Sequence, residues 1–345
     1  MCGIAGYAGP KNGLPIVLNS LRRLEYRGYD SAGVAFAREG RPRVVKSVGK
    51  LGRLETALAR ERGASAGAVI GHTRWATHGE PTEANAHPHA DCAGKIFVVH
   101  NGIIENYREL KDALTRKGHV FSSETDTEVV PHLIEEHLKK EKEFSRAFAA
   151  ALAAIRGAYA LAVLYAQEPD TLYFARLGSP LILGLGNRTH LKSTPRPRCE
   201  ECARDARRDE EFVATALQLR GATPQPARTP ATQRDTANCP HRGVAPPRSI
   251  AGDTPSVVAP GAAGQLAPIA ARDTFEMGSE YFLASDPAAL AGVAREVVYL
   301  KDGQRGMLTP KGYTVHPSKP KIELLDIDPE TVKKGPYPHF MLKEI

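Results

Sequence analysis

The sequence predicts an α/β or α+β fold whose helices and strands pack in layers. Short apolar runs of strand length recur along the chain, and segments with apolar residues at helical spacing lie between them. Several of the strands also follow one another directly, without an intervening helix. Because such helices and strands each bury an apolar face, they stack on one another around a core. The 345 residues provide enough chain for one large domain or two ordinary ones.

The elements follow in a regular order up to residue 185. Residues 3–8 are small and apolar and predict a buried strand, whereas residues 14–24 predict an amphipathic helix. Residues 46–58 predict a basic connection and a short helix. Asn101 and Gly102 favour positive φ angles and predict a turn that ends the strand before them. Further strands are predicted at residues 32–36, 68–74, 96–100, 158–165, 171–175 and 181–185, and further helices at residues 106–117, 127–139 and 144–155.

Residues 187–278 differ in composition from the rest of the chain. Eleven of the 26 prolines fall in this stretch, which has almost no aromatic residues. Such a sequence buries too little apolar area to offset its loss of conformational entropy, so a long disordered insert is predicted. The strand pattern resumes at 281–284, followed by a helix start at 285–287 and strands at 297–300 and 306–308. A fold tolerates such an insert when the flanking strands are neighbours, because loop closure costs only about 0.6 kcal/mol per doubling of length.

Composition and charge exclude several classes of protein. The formal charge of +7 is not concentrated in a basic face of the kind that binds nucleic acid. No apolar run approaches the roughly 20 residues that span a bilayer, and no secretory signal precedes the first strand. Five cysteines, an odd number, do not suggest a disulfide framework. A cytoplasmic location without membrane or nucleic-acid partners is therefore expected.

The insert contains a set of residues that resembles a zinc site. Cys199 and Cys202 have the spacing of a zinc-binding pair, and Cys239 and His241 would complete four ligands. However, Cys-Pro-His is not the usual second pair, and the intervening residues have no pattern for folding around a metal. We therefore expect neither a metal nor a cofactor.

Cys2 is the first candidate for chemistry. If Met1 is removed, Cys2 carries both a thiol and a free α-amine, whose pKa values in model compounds are about 8.5 and about 7.7–8.0. The amine can accept the proton of the thiol, so one residue provides both the nucleophile and its base. Such a pair attacks a carbonyl without a catalytic histidine.

Other polar residues follow predicted strands, where enzymes often place their chemistry. Arg27, Arg74 and Asp126 supply charges of both signs, as needed to hold a zwitterionic amino acid. Asn101 and Gly102 offer a side-chain amide and a backbone N–H, the donors that an oxyanion hole requires. Taken singly, each has an ordinary explanation as a surface charge or a turn.

Eight stretches together resemble the glutaminase part of the glutamine:fructose-6-phosphate aminotransferase family, the glucosamine-6-phosphate synthases. These are class II glutamine amidotransferases, and the resemblance implies a four-layer αββα sandwich of the N-terminal-nucleophile hydrolase type. The sequence around Arg27 favours this family over asparagine synthetases and amidophosphoribosyltransferases. The matching stretches are residues 1–7, 23–34, 71–89, 99–107, 123–129, 157–163, 178–186 and 281–286.

The resemblance also assigns roles at the reacting centre. Cys2 would attack the side-chain amide of glutamine, and water would hydrolyse the resulting γ-glutamyl thioester. Asn101 and Gly102 would form the oxyanion hole. Arg74 would pair with the α-carboxylate of glutamine and Asp126 with its α-ammonium group.

Four further roles come from the same resemblance. Thr77 and His78 would lie in a loop that closes over glutamine, and Trp75 would gate the passage of ammonia. Arg27 would help to position the backbone of the nucleophile and belongs to the predicted substrate-binding set.

The resemblance divides the chain into four segments. Residues 1–186 and 279–310 would form the glutaminase domain, residues 187–278 the insert, and residues 311–345 a linker and the start of a sugar isomerase half. The isomerase domains are expected to be missing. Because those domains would bind fructose-6-phosphate, this chain alone would show only glutaminase activity. Full-length members of the family are expected to be homo-oligomers. The alternatives are a non-catalytic glutamine-binding or interaction module and the amidotransferase part of another synthetase.

Overall fold

Two antiparallel β-sheets form the centre of the fold. The computed structural model describes residues 2–38, 41–59, 67–75, 79–186, 280–318 and 320–327. The strands are β1 (Gly3–Ala8), β2 (Ser31–Arg38), β3 (Arg41–Val48), β4 (Val69–Arg74), β5 (His89–Ala90), β6 (Ile96–Ile104), β7 (Gly157–Tyr165), β8 (Leu172–Leu177), β9 (Ile182–Leu185), β10 (Tyr281–Ala284), β11 (Glu296–Tyr299), β12 (Arg305–Thr309), β13 (Gly312–His316) and β14 (Glu323–Leu324). The first sheet has the order β14-β11-β9-β10-β1-β4-β2-β3, and the second has the order β13-β12-β8-β7-β6-β5.

Helices cover the outer face of each sheet. In the described part of the chain, three short 3-10 helices, Glu25–Arg27, Asp126–Glu128 and Pro287–Leu290, accompany five α-helices. Within the described ranges, no helix is long and apolar enough to cross a membrane. The α-helices are α1 (Gly13–Leu24), α2 (Leu51–Leu58), α3 (Tyr107–Arg116), α4 (Val129–Leu138) and α5 (Phe144–Ala154).

Three apolar cores separate four layers. The central core lies between the two sheets, where Ile4 of β1 packs in one cluster with Val99 of β6 and Phe174 of β8. A second core joins α1 and α2 to the first sheet, and a third joins α3, α4 and α5 to the second sheet. Because successive side chains of a strand point to opposite faces, Val99 enters the central core while Val98 enters the helical one. The predicted αββα sandwich is confirmed.

Residues 187–278 lie between two neighbouring strands, which is the condition under which the fold tolerates an insert there. β9 and β10 pair antiparallel, with Leu185 opposite Tyr281. The N–H of Gly186 also donates to the carbonyl oxygen of Glu280 at 2.8 Å. The predicted disorder of residues 187–278 and the weighed zinc ligands lie outside the described residues.

Strands at the sheet edges were not predicted from the sequence. β3 is polar, with Arg41, Arg43 and Lys46 in a strand whose residues are mostly only partly buried, and it occupies one edge of the first sheet. Edge strands commonly carry charges and proline, which obscure the apolar pattern. β13 and β14 are also edge strands, and both lie in the stretch predicted as a linker. The predicted domain limits stay a prediction, and the sheets continue beyond residue 310.

Candidate active site

Cys2 immediately precedes β1, a central strand of the first sheet. β1 is paired on both sides, with β4 and with β10. The backbone of Ile4 is held further by Ser285, whose Oγ accepts from Ile4 N at 2.9 Å. Gly3 allows the close packing, because a Cβ atom there would lie 2.7 Å from Thr73 Oγ1 and 2.8 Å from Leu24 Cβ. The residue beside Cys2 is therefore fixed on a rigid strand.

The thiol of Cys2 contacts the backbone of Trp75, the residue after β4. Trp75 N–H donates to Cys2 Sγ at 3.3 Å, and Sγ lies 3.6 Å from the Trp75 carbonyl oxygen. Burial raises the pKa of the Cys2 thiol, and the hydrogen bond from Trp75 N–H offsets part of this rise. At neutral pH the thiol is therefore protonated and needs a base to become a nucleophile. The Trp75 indole is 46% exposed and packs edge-on against Tyr29.

The predicted turn at Asn101 and Gly102 is wrong, because both residues lie within β6. The strand continues to Ile104, with Asn101 opposite Ala160 and Gly102 opposite Tyr159 in β7. Gly102 does have a positive φ of 133°. A Cβ atom there would lie 2.0 Å from the Ala158 carbonyl oxygen, so glycine satisfies the sheet geometry rather than a turn.

The Asn101 side chain joins the second sheet to Cys2. Its Nδ2 donates to the Cys2 carbonyl oxygen at 3.0 Å, and its Oδ1 lies 2.9 Å from His72 Nε2 in β4. Burial lowers the pKa of His72 to about 3, so the ring is neutral. Its Nε2 faces two acceptors, Asn101 Oδ1 and the His100 carbonyl oxygen at 3.2 Å. Nε2 therefore carries the proton and donates it to these oxygens.

Arg74 ends β4 and is almost completely buried. Its guanidinium donates to the carbonyl oxygens of Gly79 at 3.4 Å and Glu80 at 3.3 Å. Asn85 connects this loop to the segment before Asp126, since its Nδ2 donates to Glu80 O at 3.0 Å and to Glu124 Oε2 at 3.1 Å. Asn85 therefore links the loop that Arg74 binds to the segment that carries Asp126, the predicted partner of opposite charge.

Asp126 begins the 3-10 helix that precedes α4 and is buried. Its Oδ2 accepts from the backbone N–H of Ile104 at 2.7 Å. Ile104 is the last residue of β6, so Asp126 lies against the strand that carries Asn101 and Gly102.

The segment around Arg27 runs beside the backbone of Arg74 and Trp75. Arg27 ends a 3-10 helix, and Gly28 follows it. A Cβ atom on Gly28 would lie 2.8 Å from Arg74 C and 2.9 Å from Trp75 N. Asp30 N also donates to Arg74 O at 3.2 Å. Gly28 therefore allows this loop to pack against the backbone of Trp75, the residue that contacts the thiol. The predicted loop residues Thr77 and His78 lie outside the described residues.

Four buried histidines lie behind the site, and no role was predicted for them. The rings of His72 and His87 are 4.1 Å apart, and those of His87 and His89 are 4.7 Å apart. Thr127 Oγ1 contacts His100 Nδ1 at 2.9 Å and His87 Nε2 at 3.1 Å. Burial lowers the pKa of all four rings. Polar residue types do not reveal burial in a single sequence, although all four lie in the stretches that carry the resemblance.

The arrangement can support attack by a thiol on an amide. A protonated thiol and an oriented amide donor meet where β1, β4 and β6 come together, and Gly102 follows Asn101 in β6. An arginine and an aspartate of opposite charge lie on the adjoining segments. Such a set of groups combines a nucleophile, oxyanion donors and charge complementarity for an amino acid.

Comparison with known proteins identifies the class. Residues 72–187 match the family described as "Glutamine amidotransferase domain". The fold is similar to that of a glutamine phosphoribosylpyrophosphate amidotransferase from B. subtilis, with a TM-score of 0.56 and 17% identity. The similar region covers 91% of this chain and 49% of the other chain. The sequence match over residues 72–187 and the shared fold together identify a glutamine amidotransferase domain in this chain.

Sequence relatives narrow the family. The chain is 55% identical over 187 residues to a glutamine–fructose-6-phosphate aminotransferase [isomerizing] of Pyrococcus horikoshii, covering 54% of this chain and 31% of the relative. A protein of the same name from Symbiobacterium thermophilum is 37% identical over 351 residues, covering 100% of this chain and 42% of the relative. The chain thus spans less than half the length of these relatives. Its resemblance to the N-terminal glutamine amidotransferase domain of glutamine–fructose-6-phosphate aminotransferase is confirmed.

Proposed function

We propose that this chain hydrolyses glutamine at Cys2 and supplies the ammonia to a glutamine–fructose-6-phosphate aminotransferase reaction. The observation that carries this proposal is the contact set of Cys2, in which Trp75 N–H binds the thiol and Asn101 binds the carbonyl oxygen of the same residue. The names of the sequence relatives support fructose-6-phosphate as the acceptor.

Cys2 acts as nucleophile once Met1 has been removed. Its α-amine takes the thiol proton, and Sγ forms a bond to the side-chain amide carbon of glutamine. The oxygen of the resulting tetrahedral intermediate accepts hydrogen bonds from Asn101 Nδ2 and from the backbone N–H of Gly102. The protonated α-amine then gives its proton to the leaving nitrogen, and ammonia departs. Water attacks the γ-glutamyl thioester, releases glutamate and restores the thiol.

Charged residues select glutamine over a simple amide. Arg74 pairs with the α-carboxylate and Asp126 with the α-ammonium group, so the substrate bridges groups of opposite sign. Arg27 supports the backbone beside the nucleophile. Thr77 and His78 belong to the closing loop in this proposal, and Trp75 gates the passage of ammonia towards the acceptor.

Ammonia release by the purified full chain tests the proposal. The chain is produced so that either Cys2 or an added glycine is the first residue, and mass spectrometry verifies each form. We expect glutamine turnover only when Cys2 is first, because the added residue converts the α-amine into an amide. Cys2→Ala removes the nucleophile and should abolish turnover while the circular dichroism spectrum stays unchanged.

Two results would contradict this function. Turnover that persists in Cys2→Ala would rule out the thiol as the nucleophile. A folded chain that begins with Cys2 and binds glutamine without hydrolysing it would instead support a non-catalytic glutamine-binding module.

A further inference from the structure

A cluster of four side chains plays no part in the proposed glutamine chemistry. Cys92 lies in the turn between β5 and β6, and His119 follows α3. His132 and Glu135 lie three residues apart on α4, which places them on one face of that helix. His119 and His132 are buried, Glu135 is partly buried and Cys92 is exposed. Three separate segments of the chain therefore bring these side chains together.

The four ligand-type atoms converge on one point. Cys92 Sγ lies 3.6 Å from His119 Nδ1 and 3.4 Å from His132 Nδ1, and the two nitrogens are 3.3 Å apart. Glu135 Oε2 lies 3.1 Å from His119 Nδ1 and 3.5 Å from His132 Nδ1.

These separations match the edges of a tetrahedral zinc site. Zinc binds sulfur at about 2.3 Å, imidazole nitrogen at about 2.0–2.1 Å and carboxylate oxygen at about 2.0–2.2 Å. In a tetrahedron the ligand atoms are about 1.6 times the bond length apart, which is about 3.3–3.6 Å here. The five measured edges run from 3.1 to 3.6 Å.

The proton positions also favour a cation at the centre. His119 Nε2 lies 3.2 Å from Glu136 Oε2, and a carboxylate only accepts, so Nε2 carries a proton and donates it outward. His119 Nδ1 is the inward nitrogen and lies beside Glu135 Oε2, which also accepts from Cys92 N–H at 3.3 Å. His132 also directs Nδ1 inward, whereas its buried Nε2 lies 3.7 Å from Glu128 Oε1 and makes no hydrogen bond. The inward nitrogens, the thiol and the carboxylate therefore surround one point at which a cation can bind all four.

We propose that Cys92, His119, His132 and Glu135 form a structural zinc site. A thiolate and a carboxylate balance the two positive charges of the ion, and the sulfur and imidazole ligands select zinc over magnesium or calcium. Four protein ligands close the coordination sphere, as in structural rather than catalytic sites. The carboxylate of Glu136 behind His119 is the outer partner that zinc-bound histidines commonly have. The ion joins the β5–β6 turn and the end of α3 to α4, and it acts independently of the proposed glutaminase reaction.

The zinc content of the full chain tests the proposal. Wild type is equilibrated with zinc chloride, passed through a desalting column and analysed by mass spectrometry for metals. We expect about one zinc ion per chain from this site. Cys92→Ser, at an exposed position, should lower the zinc content by one equivalent and remain folded. The double variant C199S/C202S is the matched control, because it removes the cysteine pair of the insert and should keep this ion.

Two further measurements test the ligand geometry around the ion and the contribution of Glu136 to zinc affinity. Cobalt(II) in place of zinc should give the intense visible bands of a tetrahedral ion and a thiolate charge-transfer band, which Cys92→Ser abolishes and C199S/C202S retains. Glu136→Gln should weaken zinc affinity about 10- to 100-fold in competition with a chromogenic chelator. A folded wild type that retains no zinc, or a cobalt band that survives Cys92→Ser, would overturn the proposal.

Discussion

His72 and Asn101 form a hydrogen bond of 2.9 Å that joins the two sheets beside Cys2. Burial keeps His72 neutral, with its single ring proton on Nε2. The Asn101 amide must therefore present Oδ1 to His72, which leaves Nδ2 pointing at the Cys2 residue. The donor proposed for the oxyanion is thus oriented by a histidine that touches neither substrate nor nucleophile in the proposed mechanism.

This relationship predicts a positioning role for His72. Asn101→Ala should lower kcat for glutamine hydrolysis by about 10²–10³-fold with little change in KM, because it removes an oxyanion donor. His72→Phe keeps the ring volume and removes the N–H, so we expect a smaller loss of about tenfold in kcat, or about 1.4 kcal/mol. Steady-state ammonia release measures both.

The double variant separates positioning from a general structural effect. Once Asn101 is gone, His72 has no amide to orient, so His72→Phe combined with Asn101→Ala should be no slower than Asn101→Ala alone. Losses that multiply in the double variant would contradict the positioning role.

Asp126→Asn should separate charge recognition from structure. Asparagine can still accept the hydrogen bond from Ile104 N–H, but it has no charge to offer the α-ammonium group of glutamine. A charge-assisted hydrogen bond is worth about 1.5–3 kcal/mol, so KM for glutamine should rise about 10- to 100-fold while kcat changes little. Steady-state kinetics measure the split.

Two controls make this result specific. Asp112→Asn removes an exposed carboxylate on α3 and should leave KM unchanged. An analogue of glutamine that lacks the α-amino group should be hydrolysed equally by wild type and by Asp126→Asn. A selective loss with this analogue would show that Asp126 acts in some other way.

Trp75→Ala should leave glutamine hydrolysis largely intact. The contact between Trp75 and Cys2 Sγ uses the backbone N–H, which every residue other than proline supplies. The indole is half exposed and contacts Tyr29, so its removal should change kcat by less than about tenfold. Ammonia release measures this directly, with Trp75→Phe as the conservative variant. A loss above about 100-fold in Trp75→Ala would mean that the ring itself shapes the reacting centre.

The sequence predicts the layers of this fold better than its edges and its polar interior. Apolar runs such as β1 and β7 are buried along most of their length, so their pattern is clear without any knowledge of tertiary structure. The strand β3 lacks a clear apolar pattern because it lies at the edge of the described sheet, where most of its residues are only partly buried. Asn101 and Gly102 carry local turn preferences that pairing with β7 overrides.

The chemistry of the site follows the same division. The residue types of Cys2, Arg74 and Asp126 indicate a nucleophile and two charges, and the family resemblance assigns each of them a role. The orientation of Asn101 by His72 depends on burial and on contacts between residues far apart in the chain, which one sequence does not contain. The zinc ligands were missed for the same reason, although the spacing of His132 and Glu135 on one helix was a visible signal.

The buried histidines should make the fold sensitive to mild acid. In the unfolded chain a histidine titrates near about 6.5, whereas burial lowers the pKa of His72 to about 3 and holds those of His87 and His89 well below the ordinary value. Below pH of about 6.5 the unfolded state therefore binds protons that the folded state does not. Stability rises with pH across this window and is lost as pH falls, by about 1.4 kcal/mol per pH unit for each such histidine.

Urea unfolding between pH 7.5 and 5 measures this loss. Carboxylates titrate mainly below this range, so the histidines dominate it. The Cys92→Ser background keeps release of the proposed zinc ion from contributing. His89→Gln removes one buried ring and should reduce the pH slope of the unfolding free energy by up to one proton. A free energy of unfolding that stays constant from pH 7 to 5 would mean that the folded protein binds these protons without cost.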